Sequence, residues 1–356
     1  MKPAAQAWVR PEVAAMHAYH VADARGMIKL DAMENPFPLP PALQDELGRR
    51  LGRVAVNRYP DPDGGGLKER LAAAFGISPY AQLLLGNGSD ELITLTMQAL
   101  ARPGAIMLAL EPSFVMYRVG AELAGMRYVG VPLNADFSLN LDALLAAIEA
   151  HQPALVFIAY PNNPTGNRYA RADVEAVLAV APGLVVVDEA YQAFADDSLM
   201  DLAGSVDNLM VMRTLSKVGL AGIRLGYAAG SPAWVGEIDK VRPPYNINVL
   251  TQEAAHFALD HLALFDEQAA LLRAERARLA AALARLPGVE VFASEANFVT
   301  CRVAGAGALF AALKARGILI KKLDGAHPLL ENCLRFTVGA PEENDAVLSA
   351  LQQELA

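Results

Sequence analysis

Short apolar runs alternate with segments of helical length between about residues 82 and 230. The runs are QLLL, AIMLAL, ALVFIAY, GLVVVDEAY and LMVMRT. Apolar runs without polar alternation are typical of strands buried on both faces, and helices between such strands form crossovers in a parallel sheet. The pattern therefore predicts an α/β fold with a mainly parallel sheet flanked by helices.

The C-terminal part of the chain has a different pattern. Residues 246–285 are strongly helical in character up to the Pro-Gly pair at 287–288, and an α+β unit follows. That unit contains VEVFASEANFVTCR, a helix near 307–316, GILIKKL, CLRFTVG and a terminal helix. The Pro-rich stretch ENPFPLPP predicts a non-helical arm. We therefore predict an N-terminal arm (1–35), a large domain (36–245) and a smaller α+β C-terminal domain (246–356).

Composition narrows the classes of function. The chain has 356 residues, of which 54% are hydrophobic and 19% charged, which predicts a compact globular protein. A formal net charge of −9 argues against a nucleic-acid partner. The N-terminus has no signal-peptide pattern and no window reaches 18 apolar residues, so we predict a cytoplasmic protein without a membrane partner. Cys301 and Cys333 lack metal-ligand spacing and are predicted to be buried thiols, and no metal site is predicted.

Polar residues follow each predicted strand, at 87–91, 111–114, 162–166, 188–191 and 214–217. Ligands of open α/β sheets bind beyond the carboxyl ends of the strands. Taken one at a time, these segments have ordinary explanations. Asp188 could cap a helix, PNNPTG could be a turn that includes Asn163, and GNGSDELI could be a helix start capped by Ser89. The last segment also suits a phosphate, provided that the Asp90 and Glu91 side chains point away.

The segment TLSKVGLAGIRLGY at 214–227 places two cations, Lys217 and Arg224, among small and apolar residues. A solvated surface would scatter such charges more widely. Each cation is therefore expected to have an anionic or covalent partner from outside the segment, although a surface lysine and a core-edge arginine remain the simpler alternative.

These motifs, in this order, resemble the fold-type I pyridoxal-phosphate aminotransferases, and among them the histidinol-phosphate aminotransferases. The resemblance covers nearly the whole chain. It rests on Tyr19, ENPFP, NRYPDPDGGGLKERLA, GNGSDELI, EPSFVMY, YPNNPTG, VVVDEAY, TLSK with GIRLGY, ANFV and CLRFTVG.

The resemblance implies pyridoxal 5′-phosphate as cofactor and assigns roles around its ring. Lys217 resembles the lysine that carries the cofactor covalently and later moves the substrate proton. Asp188 would keep the pyridine nitrogen protonated, which completes the electron sink. Tyr191 and Asn163 would hydrogen-bond the 3-oxygen of the ring, and Phe114 would stack on its face.

The resemblance also assigns the cofactor phosphate and the assembly. The phosphate would be held by Arg224, by the Gly88, Ser89 and Asp90 backbone, and by a hydroxyl of Thr214 or Ser216. Tyr59 would reach the phosphate bound in a neighbouring subunit, which implies a homodimer with shared active sites.

The activity that the resemblance implies is transamination between histidinol phosphate and 2-oxoglutarate, a step of histidine biosynthesis. Arg335 would bind the anionic group of either substrate with a bidentate fork, helped by Tyr19, Asn35 and Lys321. Many relatives have Arg at the position of Lys321, and Lys supplies the charge without the planar fork.

Other activities share the same cofactor residues. An aromatic amino-acid aminotransferase would need an apolar side-chain pocket, and a threonine-phosphate decarboxylase would turn its substrate so that the carboxylate leaves. From a different class, the chain could be the effector-binding module of a transcription regulator. The acidic net charge opposes that last interpretation.

Overall fold

The structure is a computed structural model that describes residues 7–18 and 21–355. Its strands are β1 (Ile28–Leu30), β2 (Gln82–Asn87), β3 (Ile106–Glu111), β4 (Arg127–Pro132), β5 (Leu155–Ala159), β6 (Leu184–Asp188), β7 (Leu209–Thr214), β8 (Leu225–Gly230), β9 (Val289–Val291), β10 (Phe298–Val303), β11 (Ile318–Lys322) and β12 (Cys333–Thr337). Its α-helices are α1 (Pro11–Ala14), α2 (Pro41–Leu51), α3 (Leu67–Ala74), α4 (Ser89–Leu100), α5 (Met116–Ala124), α6 (Leu141–His151), α7 (Arg171–Val180), α8 (Pro232–Asp239), α9 (Val249–Asp260), α10 (Leu262–Leu283), α11 (Ala306–Ala315) and α12 (Pro341–Glu354).

Seven strands form the larger sheet, in the order β2-β8-β7-β6-β5-β3-β4. Strand β8 pairs antiparallel with both of its neighbours, and the remaining pairs are parallel. The apolar runs singled out in the sequence are β2, β3, β5, β6 and β7. The predicted α/β class with a mainly parallel sheet is therefore confirmed.

Both faces of this sheet are covered by helices and apolar side chains. Along β6, Val185 and Val187 pack into one core, while Leu184 and Val186 pack into the core on the other face. All residues of β5 and β6 are buried. Burial on both faces is the physical reason why these strands lack alternating polar residues.

The C-terminal part of the chain forms a second sheet of five strands, in the order β1-β11-β12-β10-β9. Strand β1 joins this sheet by pairing parallel with β11, so part of the predicted N-terminal arm packs with the C-terminal unit. Cys301 and Cys333 are buried free thiols on adjacent strands, as predicted. The exact limits of the arm and of the two domains stay a prediction.

The helical region after residue 246 divides into two helices at His261. Helix α9 packs against α2 and α3, whereas α10 packs against β10 and α12. Within 7–18 and 21–355, none of the helices combines the length and the apolar character that crossing a bilayer requires.

Candidate active site

The polar ends of the large-sheet strands meet at one edge. Asn87, Glu111, Asp188 and Thr214 are the last residues of β2, β3, β6 and β7. Arg224 immediately precedes β8, which runs in the opposite direction and so begins at the edge where its neighbours end. The parallel topology thus brings together residues that are far apart in the sequence.

A cavity at this edge gathers most of the residues that the sequence singled out. Its volume is about 100 Å³. The predicted residues that line it are Ser89, Asp90, Phe114, Asn163, Asp188, Tyr191, Thr214, Ser216, Lys217 and Arg224. The other residues of the wall are Met33, Tyr117, Ala159, Pro161 and Ala190.

Asp188 is a buried carboxylate at the end of β6, with 5% of its surface exposed. Its Oδ2 accepts a hydrogen bond from the Tyr117 hydroxyl at 2.7 Å, and its Oδ1 accepts from the Ala190 N–H at 3.1 Å. Burial raises the pKa of Asp188 to about 6, although these two hydrogen bonds oppose the shift. A cationic partner in the cavity would therefore stabilise the ionised form of Asp188.

Lys217 lies in a short helical turn after β7, with its side chain partly buried. Its ammonium donates to the Ala32 carbonyl at 3.2 Å and lies 5.9 Å from the centre of the Tyr191 ring. Burial lowers the pKa of Lys217 to about 8, and the nearby Arg335 cation acts in the same direction. The amine can therefore lose its proton near neutral pH, as a nucleophile or a general base must.

The N-terminus of α4 and Arg224 form an anion-binding corner of the cavity. Gly88 caps the helix with φ +78°, and a Cβ at this position would lie 2.7 Å from Arg224 Nη2. Gly226 has the same constraint, because its Cβ would lie 2.8 Å from the Gly88 carbonyl carbon and from the Ser89 nitrogen. Arg224 Nη1 donates to the Ser216 hydroxyl at 3.3 Å. A helix N-terminus, a guanidinium and a hydroxyl together suit a phosphate.

Of the two acids in the first turn of α4, Glu91 points away from this corner, whereas Asp90 pairs with its guanidinium. Glu91 turns back to accept the Asn87 N–H at 2.7 Å and an Asn246 amide hydrogen bond at 2.6 Å. Asp90 pairs with Arg224 at 3.0 Å, with both side chains about half exposed. The prediction that Ser89 caps this helix is wrong: Ser89 is the first helical residue, and the N-cap is Gly88.

Tyr191 and Asn163 form a buried pair on the wall of the cavity. The Asn163 amide donates to the Tyr191 hydroxyl at 3.0 Å. Its carbonyl oxygen accepts from Arg335 Nη1 at 2.6 Å, which ties the cavity wall to β12 of the smaller sheet. Arg335 Nη2 also donates to the Asp31 carbonyl at 2.9 Å.

A second cavity, of about 420 Å³, adjoins the first and shares Met33, Phe114 and Asn163 with it. Arg335 and Lys321, both predicted to bind substrate, line this second cavity. They are paired in register on β12 and β11. The adjoining cavity is therefore the cationic part of the candidate site.

Two of the predicted residues lie elsewhere. The Asn35 amide donates to the Val218 carbonyl and to the Gln268 side chain, both at 3.0 Å, so it supports the turn that carries Lys217. Tyr59 is 81% exposed and stacks on Tyr245 with a centroid distance of 4.7 Å. Tyr19 lies outside the described residues. The roles of these residues toward substrate or cofactor stay predictions.

Sequence reasoning missed Tyr117 and the Ala32 carbonyl. Tyr117 follows Phe114 by three residues at the start of α5, and this one-turn spacing could have indicated that both face the cavity. The Ala32 carbonyl had no signal in the sequence, because a backbone acceptor is independent of residue type.

Comparison with known proteins agrees with this geometry. The family model for aminotransferase class I and II matches residues 25–351. A histidinol-phosphate aminotransferase of Chromobacterium violaceum is 69% identical over 353 residues, which cover 99% of each chain. Histidinol-phosphate aminotransferase 2 of Cupriavidus pinatubonensis is 55% identical over 98% of this chain and 96% of the relative.

Among solved structures, the histidinol-phosphate aminotransferase of Sinorhizobium meliloti in complex with pyridoxal-5′-phosphate has a TM-score of 0.86. It is 25% identical in sequence, and the match covers 98% of this chain and 97% of that one. The chain belongs to the class I and II aminotransferases and, within them, to the family of the histidinol-phosphate aminotransferases.

Proposed function

We propose that this protein transfers an amino group between histidinol phosphate and 2-oxoglutarate with pyridoxal 5′-phosphate as cofactor. The observation that carries the proposal is the arrangement of one cavity. It combines the Lys217 amine, the buried Asp188 carboxylate and the anion-binding corner at Gly88 and Arg224. Full-length similarity to histidinol-phosphate aminotransferases supports the choice of substrate.

The residues present fit the cofactor. Asp188 is the anion that would hold the proton of the pyridine nitrogen, and the corner at Gly88 and Arg224 would hold the phosphate. The absence of a Cβ at Gly88 leaves room for the Arg224 guanidinium beside the start of α4. When bound, pyridoxal phosphate supplies an electron sink that stabilises negative charge at the substrate Cα.

Lys217 is the residue suited to move the proton at the substrate Cα. Its pKa of about 8 allows it to accept that proton as a base and to return it as an acid. The Arg335 cation and the burial of the amine favour its neutral form. Because the enzyme keeps the amino group after the first product leaves and passes it to the second substrate, the kinetics should be ping-pong.

Arg335 and Lys321 would bind the anionic group of each substrate, the phosphate of histidinol phosphate and a carboxylate of 2-oxoglutarate or glutamate. Arg335 is 5% exposed and is oriented by Asn163 and by the Asp31 carbonyl. A fixed guanidinium can offer two parallel N–H donors to either anion. Lys321 would add charge without the planar fork.

The proposed assembly is a homodimer in which Tyr59 contributes to the neighbouring active site. Tyr59 lies with Val56, Tyr245 and Leu250 among the exposed large apolar side chains, at 81%, 71%, 43% and 42% exposure. Such residues favour an interface. We also place the protein in the cytoplasm, in keeping with a biosynthetic role.

The test is a single-turnover comparison of amino donors with the cofactor-loaded enzyme. Histidinol phosphate, glutamate, phenylalanine and threonine phosphate are mixed separately with the enzyme, and amino transfer is followed as loss of the yellow absorbance. We expect fast turnover with histidinol phosphate and glutamate. Faster reaction with phenylalanine would support an aromatic aminotransferase instead, and release of carbon dioxide from threonine phosphate would support the decarboxylase.

A further inference from the structure

Four polar residues on the wall of the 420 Å³ cavity have no role in the proposed cofactor chemistry. They are Glu111, Arg118, Tyr128 and His327, and we refer to them as the Glu111 cluster. The first three belong to the large sheet and its helix α5, while His327 follows β11 of the smaller sheet. The cluster thus lines the same cavity as the substrate-binding candidates Arg335 and Lys321.

One oxygen of the Glu111 carboxylate is held by two donors, and the other packs against Gly130. Its Oε1 accepts from the Tyr128 hydroxyl at 2.9 Å and from Arg118. In the described part of the chain, both side-chain hydrogen bonds to this carboxylate fall on Oε1. The carboxylate packs against Gly130, where an added Cβ would overlap the carboxyl carbon and Oε2. Two donors and a glycine therefore fix Glu111 as a hydrogen-bond acceptor at the cavity.

His327 has a defined tautomer. Its Nδ1 accepts the Leu329 backbone N–H at 3.1 Å, so in the neutral ring the proton is on Nε2. Burial lowers the pKa of His327, and the opposing influence of Glu111 is smaller. The neutral ring therefore offers an Nε2–H donor.

We infer that Glu111 and His327 form the subsite for the imidazole ring of the amino substrate. A neutral imidazole has one N–H donor and one nitrogen acceptor, and this pair supplies the complementary acceptor and donor. The Glu111 carboxylate accepts the ring N–H, and His327 Nε2–H donates to the other ring nitrogen. The inference rests on the proposed function, since it presumes that histidinol phosphate is the amino donor.

The same arrangement explains how one cavity serves two unlike substrates. Both substrates carry an anion for Arg335 and Lys321, but only histidinol phosphate has a ring for the Glu111 cluster. Polar groups built to pair with a substrate discriminate strongly against an analogue that leaves them unpaired. The cluster therefore determines selectivity for the imidazole ring and does not affect the rate of the glutamate half-reaction.

The experiment uses the cofactor-loaded enzyme and three amino donors: histidinol phosphate, phenylalaninol phosphate, in which phenyl replaces imidazole, and glutamate. Single-turnover kcat/KM values are measured for wild type, Glu111→Gln and His327→Phe. We expect each variant to lose about 10- to 100-fold in its preference for histidinol phosphate over phenylalaninol phosphate, with the glutamate value within about 3-fold of wild type. The matched control is Glu149→Gln, which removes the same charge from an exposed position on α6 and should leave all ratios unchanged.

The glutamate half-reaction also reports on folding of each variant, because it needs the same cofactor site. An unchanged preference for imidazole over phenyl in both cluster variants would overturn the inference, and so would an equal loss with all three donors. If wild type reacts with glutamate but not with histidinol phosphate, the proposed function itself fails. If wild type reacts with histidinol phosphate and the variants keep its preference, the subsite assignment alone fails.

Discussion

Replacing Asp188 by Asn should lower the rate of amino transfer but raise the stability of the cofactor-free protein at neutral pH. Its folded-state pKa of about 6 lies above the ordinary value of 3.8, because burial penalises the charged form. The folded protein therefore binds the proton more tightly than the unfolded chain between these two pH values. By linkage, stability falls as pH rises through that window and stays lower above it.

The magnitude follows from the pKa shift. In the cofactor-free protein the ionised carboxylate should cost about 1 kcal/mol at pH 4.5 and about 3 kcal/mol at pH 7.5. Asn carries no charge, so its hydrogen-bond changes with Tyr117 and Ala190 are the same at both pH values. The free energy of unfolding of Asp188→Asn, relative to wild type, should therefore increase by about 2 kcal/mol from pH 4.5 to pH 7.5.

The assay is urea unfolding of the cofactor-free proteins at the two pH values, with Asp207→Asn as a control at an exposed position. In the cofactor-loaded enzyme the same substitution should be harmful, because the pyridine nitrogen loses its anionic partner. We expect a loss of roughly two to three decades in the rate of amino transfer, or about 2–4 kcal/mol of transition-state stabilisation. A stability difference that does not change with pH, or near-normal activity, would refute the reasoning.

Three further predictions concern the cofactor and the assembly. Lys217→Ala should abolish transamination and leave a folded protein. In wild type, attachment of the cofactor should accelerate as pH rises through about 8, because the neutral amine of Lys217 is the form that reacts. Borohydride-fixed cofactor found on another lysine would contradict this assignment. Gly88→Ala should weaken cofactor affinity at least about 10-fold in equilibrium dialysis, since φ +78° and the contact with Arg224 oppose a side chain; unchanged affinity would exclude the proposed corner. Tyr59→Phe mixed with Lys217→Ala should give more activity than the mean of the two homodimers, because one site of each mixed dimer is wild type; a fully active monomer would rule out shared sites.

The sequence by itself determined the fold class and most of the residues that line the candidate cofactor site. Uninterrupted apolar runs such as LVVVD can be buried on both faces only in a helix-covered parallel sheet, and β6 is such a strand. Asp188 and Thr214 end two of these strands, so they had to meet at one edge. The positions of Lys217 and Arg224 were equally visible, because small neighbours and isolated charges are features of the sequence itself.

Only the tertiary structure decided the contacts that join distant segments. Tyr117 reaches Asp188 across 71 residues, and the Ala32 carbonyl reaches Lys217 across 185 residues. The pairing of β1 with β11 likewise brings the N-terminal segment beside Arg335. Residue type and local periodicity specify which face of an element is buried, but not which distant element covers it. The cavity shared by the two sheets, and with it the Glu111 cluster, therefore exists only in the folded chain.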